Sequence, residues 1–221
     1  MDYELLTGRK NTNLIEYEGY LIHRDVETSF RELQLRAKDD INADLKIVSS
    51  FRDHTRQSLI WNNKALGKRK ILNDAGIELD FNSLSQEDLL LSILRFSAIP
   101  GASRHHWGCD FDVFDAQMIS QDNLELTHAE CVGDGACAKL HSWLDKVLPS
   151  TDFYRPYEYD HGGVSVEKWH LSFKPLSTEF INQYTFDIFL KNLKESEIEL
   201  KDILLQKAEF YFKQYFLNQR Q

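Results

Sequence analysis

Ten residues, Ser103 to Asp112 (SRHHWGCDFD), follow directly on a Pro100-Gly101 break, and they constrain the chain more than any other stretch. From Cys109 the pattern alternates, with Phe111 and Val113 on one face and Asp110 and Asp112 on the other, as in a half-buried strand. A carboxylate on a core-lined sheet is costly to bury unless it is paired or coordinates a cation. His105 and Asp112 are both good ligands for a borderline cation such as zinc. They lie seven residues apart, so on one continuous strand they would face opposite ways. A turn must intervene, and Gly108 can make it at low steric cost.

The complement to this half-site is EKWH, Glu167 to His170, which adds an imidazole and a carboxylate. These two are three residues apart, and the chain must bend if both are to face one cavity. Two neutral imidazoles and one carboxylate hold zinc with a fourth position open to water, and a further carboxylate beside that water is the natural general base. The H-E-x-x-H pattern is absent, so the site is not of that kind.

The rest of the chain sets these motifs on a scaffold. Residues 1 to 25 read as a loop-rich lead-in, and Val26 to Leu45 as an amphipathic helix with Phe30, Leu33, Ala37 and Ile41 on one face. Lys46 to Ser50 is β-prone and delivers Arg52 at a strand end, ahead of a second helix from His54 to about Leu66. Ser85 with Asp88 is a capping signature for a helix that Pro100 ends. Cys137 to Val147 reads as a helix, Val164 to Phe173 as a strand, and the chain from Pro175 as helical. Its aromatic stripe (Phe180, Tyr184, Phe189, Tyr211, Phe212) is core packing or the face of a homodimer. Helices and short strands without βαβ alternation predict an α+β fold, a small antiparallel sheet with flanking helices around a cleft. The division expected is 1–174 for the site-bearing domain and 175–221 for a C-terminal helical extension.

A formal net charge of −9 argues against a nucleic-acid partner, because phosphate affinity needs clustered Lys and Arg. The one basic run, Lys64 to Lys70, is read as a solvated helix end. No apolar run is long enough to span a membrane, and the chain as given shows no export signal. The compartment expected is therefore cytoplasmic, or periplasmic if a leader has been removed. Cys109, Cys131 and Cys137 are read as free packed thiols, with a Cys131–Cys137 bridge as the alternative in an oxidising compartment.

Taken together, Ser50-Phe51-Arg52, Ser103 to Asp112 and Glu167 to His170 resemble the motifs of the VanY-type D-alanyl-D-alanine carboxypeptidases and their VanX-type dipeptidase relatives, zinc enzymes acting on peptidoglycan stems. The resemblance spans about residues 20 to 174. It implies one zinc per chain on His105, Asp112 and His170, with Glu167 activating water and passing its proton to the leaving amine. Arg52 would steady the oxyanion or anchor the substrate, Ser103 would help hold the substrate carboxylate, and Gln57 would be a substrate contact. His106 is read as a supporting neighbour of the ligands or stacked on Trp107. The chain departs from the family at Asp110, where a small residue is usual; Asp110 is read as a partner for a ligand or a nearby arginine, or else as a solvent-facing acid. The partner implied is a peptidoglycan-derived peptide. An endopeptidase of the same fold is the alternative within the enzyme class, and a zinc-containing binding module, as in Hedgehog signalling domains, the alternative outside it.

Overall fold

A four-stranded antiparallel sheet carries Asp110, Asp112 and His170 on its strands. In the computed structural model, which describes residues 2–74 and 76–219, the lead-in is more ordered than expected. It forms α1 (Tyr3–Leu6) and a hairpin of β1 (Leu14–Tyr17) and β2 (Tyr20–His23), turning at Glu18 and Gly19, both at positive φ. Helix α2 (Glu27–Ile41) buries Phe30, Leu33 and Ala37 and stops at Asn42, whose left-handed φ of 52° frees the chain to start β3 (Leu45–Ser49). Helix α3 (His54–Ala65) begins where Asp53 accepts from Arg56 N. Helix α4 (Gln86–Leu94) begins at Ser85, whose hydroxyl accepts from Asp88 N and donates to the Asp88 carboxylate.

Strand β4 (Asp110–Asp115) is buried throughout. After α5 (Ala138–Val147) come β5 (Phe153–Tyr154) and β6 (His170–Phe173), giving the sheet order β3-β4-β6-β5 with antiparallel pairing throughout. The strand expected over 164–173 is confined to its last four residues. Upstream, the backbone pairs elsewhere: Ser165 N donates to Arg95 O and Glu167 N to Tyr157 O.

Helices α6 (Lys174–Gln183), α7 (Phe186–Glu195), α8 (Lys201–Gln206) and α9 (Ala208–Tyr211) complete the chain, with a wider turn over Phe212–Phe216. Their aromatic stripe is buried in the chain's own core: Trp107 stacks on Phe180 at 5.2 Å, and Tyr184 meets Phe216 at 4.3 Å. The three cysteines are free and buried. Among the described residues no helix is long and apolar enough to cross a membrane.

These helices also hold the break that precedes the main motif. Gly101 sits at φ +83°, where a side chain would run into Asn192. Asn192 Nδ2 donates to Pro100 O at 2.7 Å, Tyr184 Oη donates to Gly101 O at 2.7 Å, and Arg9 donates to Asn192 Oδ1 at 2.9 Å. Asn192 is fully buried. Asn192→Ala leaves the buried Pro100 carbonyl without its donor, and is expected to cost about 1–3 kcal/mol. Thermal unfolding checks this; an unchanged midpoint would mean that α7 does not hold the loop.

Candidate active site

Three backbone segments knit together before any side chain meets. Phe51 N and Ser50 Oγ donate to Leu21 O, and Arg52 N donates to His105 O at 3.1 Å. Ser50 O in turn lies 2.9 Å from His105 Nδ1. A carbonyl only accepts, so Nδ1 carries the proton and Nε2 keeps its lone pair. Burial, with Arg52 nearby, pushes His105 down to about 3, which keeps it neutral. Its turn, Arg104–Trp107, closes on Gly108 at φ 68°, and the chain enters β4 reoriented, so that His105 Nε2 faces Asp112 Oδ2 at 3.5 Å.

Strand pairing supplies the second imidazole. Asp112 and His170 are register partners across β4 and β6, and His170 Nδ1 lies 3.1 Å from Asp112 Oδ1. The bend required between Glu167 and His170 is a turn, closed by His170 N to Glu167 O at 3.2 Å, and it leaves Glu167 Oε2 3.7 Å from His170 Nδ1. One ligand atom each from His105, Asp112 and His170 lies within 4.8 Å of the others. Burial alone would raise Asp112, but His105, His170 and Arg52 hold its carboxyl well below the ordinary range. Glu167 goes the other way, raised by burial to about 7.

Asp110 is not a solvent-facing acid. It is fully buried, accepts from Arg104 Nε at 2.7 Å and lies 3.0 Å from His170 Nε2. Arg104 also donates to Tyr154 Oη at 2.8 Å and to Ser172 Oγ at 2.6 Å. Against burial, which would raise it, Arg104 and His170 hold Asp110 at about 2. Burial would lower His170, but Asp110 and Asp112 together raise it to about 9. Arg104 and Tyr154 escape a reading of the sequence, which offers Asp110 as an acid in want of a partner but not the partner. Tyr157 is also missed: its ring meets the His170 ring edge-on at 4.8 Å.

The remaining expected residues are all buried or half-buried. Arg52 Nη1 donates to Gln57 Oε1 at 3.1 Å, and its buried Nε has no partner. Gln57 is buried with both amide ends engaged, since Nε2 donates to Ala98 O at 2.8 Å; it orients Arg52. His106 does not stack on Trp107: its Nδ1 donates to Arg52 O at 2.6 Å and its Nε2 accepts from Gly101 N at 3.0 Å. Ser103 is buried at the head of the turn. Lys64 does not behave as part of a solvated helix end; it turns inward to Ser97 Oγ at 2.7 Å.

The donor set fits a zinc ion. Two imidazoles present one nitrogen each, with the other nitrogen anchored on Ser50 O or Asp110, and a carboxylate completes the set. The raised His170 points the same way, because two buried carboxylates beside it call for a positive charge.

Residues 19–176 match the model of the VanY D-alanyl-D-alanine carboxypeptidase family, and the chain belongs to that family. Two uncharacterised proteins of Haemophilus influenzae are similar to it. One is 38% identical over 102 residues, covering 43% of this chain and 68% of its own. The other is 31% identical over 122 residues, covering 54% and 93%. The fold is similar to that of VanYB in complex with D-alanine-D-alanine, with a TM-score of 0.55 at 19% identity over 80% of this chain and 92% of that one. The LdcB LD-carboxypeptidase gives 0.54 at 18% identity over 80% and 76%. A VanY D,D-pentapeptidase variant in complex with Zn(II) gives 0.53 at 18% identity over 82% and 95%.

Asp110→Ala leaves Arg104 buried without its charge partner and is expected to cost about 3–5 kcal/mol, whereas Arg104→Met with Asp110→Ala recovers most of that loss. Denaturant unfolding of the three proteins checks this. A single variant as stable as the parent would show that the pair does not hold the sheet.

Proposed function

We propose that the protein is a zinc-dependent carboxypeptidase that hydrolyses the D-Ala-D-Ala bond, or a related D-amino-acid bond, of peptidoglycan stem peptides. The observation that carries this reading is the convergence of His105, Asp112 and His170 with an unligated carboxylate, Glu167, 3.7 Å from His170 Nδ1. Zinc held by those three residues supplies Lewis acidity, polarising the scissile carbonyl and bringing a water's pKa toward neutrality. Glu167, as carboxylate, takes the proton of the attacking water and delivers it to the departing amine nitrogen. The raised pKa of Glu167 suits both halves of that task, since a base near neutrality also returns its proton readily.

Arg52 is near enough for the charges of Asp112 and Glu167 to act on it, its backbone fixed by His105 O and His106 and its guanidinium by Gln57. It stabilises negative charge on the carbonyl oxygen as the tetrahedral centre forms. The Ser103 hydroxyl contacts the substrate carboxylate. A zinc-containing binding module would need neither Glu167 nor Arg52, so the presence of both supports catalysis.

Purified protein is expected to carry about one zinc by metal analysis. Glu167→Ala should keep the metal while losing roughly 100- to 10,000-fold in hydrolysis of peptides ending in D-Ala-D-Ala. A fully active variant would sink the mechanism; stoichiometric zinc without hydrolysis of any stem peptide would favour the binding module. The pH profile gives a separate check. Glu167 works as a base only when ionised, so kcat/KM should fall as pH drops, with a midpoint above the ordinary 4.5 and no higher than about 7. A midpoint at or below 4.5 would place the active carboxylate elsewhere.

A further inference from the structure

Three arginines of the interior or its margin have carboxylate partners. Arg104 pairs with Asp110 at 2.7 Å, Arg95 with Asp74 at 2.9 Å and Asp160 at 2.7 Å, and Arg155 with Asp145. Two cations beside the candidate site differ. Among the described residues Arg52 and Lys64 form no ion pair, and their hydrogen bonds go to neutral groups, Gln57 Oε1 and Ser97 Oγ.

Both cations belong to one wall. Lys64 follows Gln57 by seven residues in α3, two helical turns, so the two share a face and the lysine stem leans back toward the glutamine. Gln57 binds Arg52 at one end of its amide and Ala98 O at the other, next to the Ser97 that holds Lys64. Arg52, Gln57 and Lys64 therefore run continuously along residues 97–98. Glu167 is close enough for its charge to act on both cations. Burial, then the positive charges of Arg69 and Arg52, push Lys64 down to about 8, with Glu167 opposing.

A half-buried ammonium with no carboxylate in contact is unfavourable unless a ligand supplies the anion. The carboxypeptidase reading, on which this step rests, places such an anion nearby. In a peptide cleaved one residue from its end, the terminal carboxylate carbon lies at most about 4 Å from the scissile carbonyl carbon, by the summed backbone bond lengths. An internal peptide bond presents no charge there. We propose that Lys64 is a specificity-determining residue. Its ammonium receives the free C-terminal carboxylate of the peptide and confines cleavage to the chain end.

The test compares an N-acylated D-Ala-D-Ala peptide as free acid and as C-terminal amide. Zinc-loaded wild type, Lys64→Met, Lys64→Gln and Lys64→Arg are each assayed for kcat and KM. Wild type should prefer the acid. Lys64→Met and Lys64→Gln should shrink that preference at least about tenfold, through KM, and Lys64→Arg should restore most of it, as expected for a lost charge-assisted contact. A merely structural role would slow both peptides alike and leave the ratio in place. A ratio unchanged in both neutral variants overturns the proposal while the hydrolytic reading stands. Binding of the two peptides to zinc-loaded Glu167→Ala, with and without Lys64→Gln, separates the remaining cases. Tighter, Lys64-dependent binding of the acid by a protein whose wild type hydrolyses neither peptide keeps the carboxylate site and removes the hydrolytic reading. Equal binding of acid and amide, or no binding of either, overturns the role of Lys64.

Discussion

Keeping two carboxylates charged inside a sheet is the constraint on which the rest of this fold depends. Asp110 and Asp112 share one face of β4, and each must be met across the strand gap. Strand β6 does so in register, setting Ser172 opposite Asp110 and His170 opposite Asp112. A slip of one residue would turn His170 away and expose every apolar partner on the other face. That other face resists slipping because it is packed with rings: Phe30 meets Phe111 at 5.3 Å, and Phe153 meets Phe173 at 5.3 Å. Aromatic packing on one side of the sheet thus sets the electrostatics on the other.

The loops over the polar face are held from further away. His106 links the carbonyl of Arg52 to the amide of Gly101, so the cationic wall and the break before the main motif move together or not at all. That break is in turn fastened by Asn192 and Tyr184. The C-terminal helices, which lie largely outside the family match ending at residue 176, therefore support the site through this glycine loop and through Phe180 stacked on Trp107.

What is legible in the sequence follows from short-range rules. Alternation around Asp110 and Asp112, the Pro100-Gly101 break and the need for a turn at Gly108 all depend on a few neighbouring residues. So does the Ser85 cap. The hairpin at Leu14–His23 is not legible as such, because its four-residue strands and its Glu18-Gly19 turn give too little periodicity to distinguish it from a loop. The strand before His170 is over-extended for a related reason: apolar and polar residues alternate there, yet the backbone bonds of 165–167 go to Arg95 and Tyr157, contacts that no local pattern encodes. Arg104, Tyr154 and Tyr157 are missed because their importance is wholly tertiary. A basic run such as Lys64 to Lys70 looks uniform in sequence, and only helix phase shows that Lys64 shares the face of Gln57 while Lys70 pairs with Glu78 at the surface.

Asp110 bears on how the two imidazoles differ. His105 leans on a neutral carbonyl, Ser50 O, and burial, then the charge of Arg52, disfavours a second proton. His170 leans on a carboxylate, and with Asp112 on its other nitrogen it is the member of the cluster that holds a proton near neutrality, at about 9 against about 3 for His105. Only one of the two imidazoles then has to be deprotonated for both to present a lone pair, and its far nitrogen keeps an anionic acceptor after the proton has gone. Under the proposed zinc reading, a carboxylate in that supporting place would make His170 the stronger donor of the pair. It also makes Arg104 indispensable, because the same carboxylate would otherwise stand buried with no permanent positive charge against it.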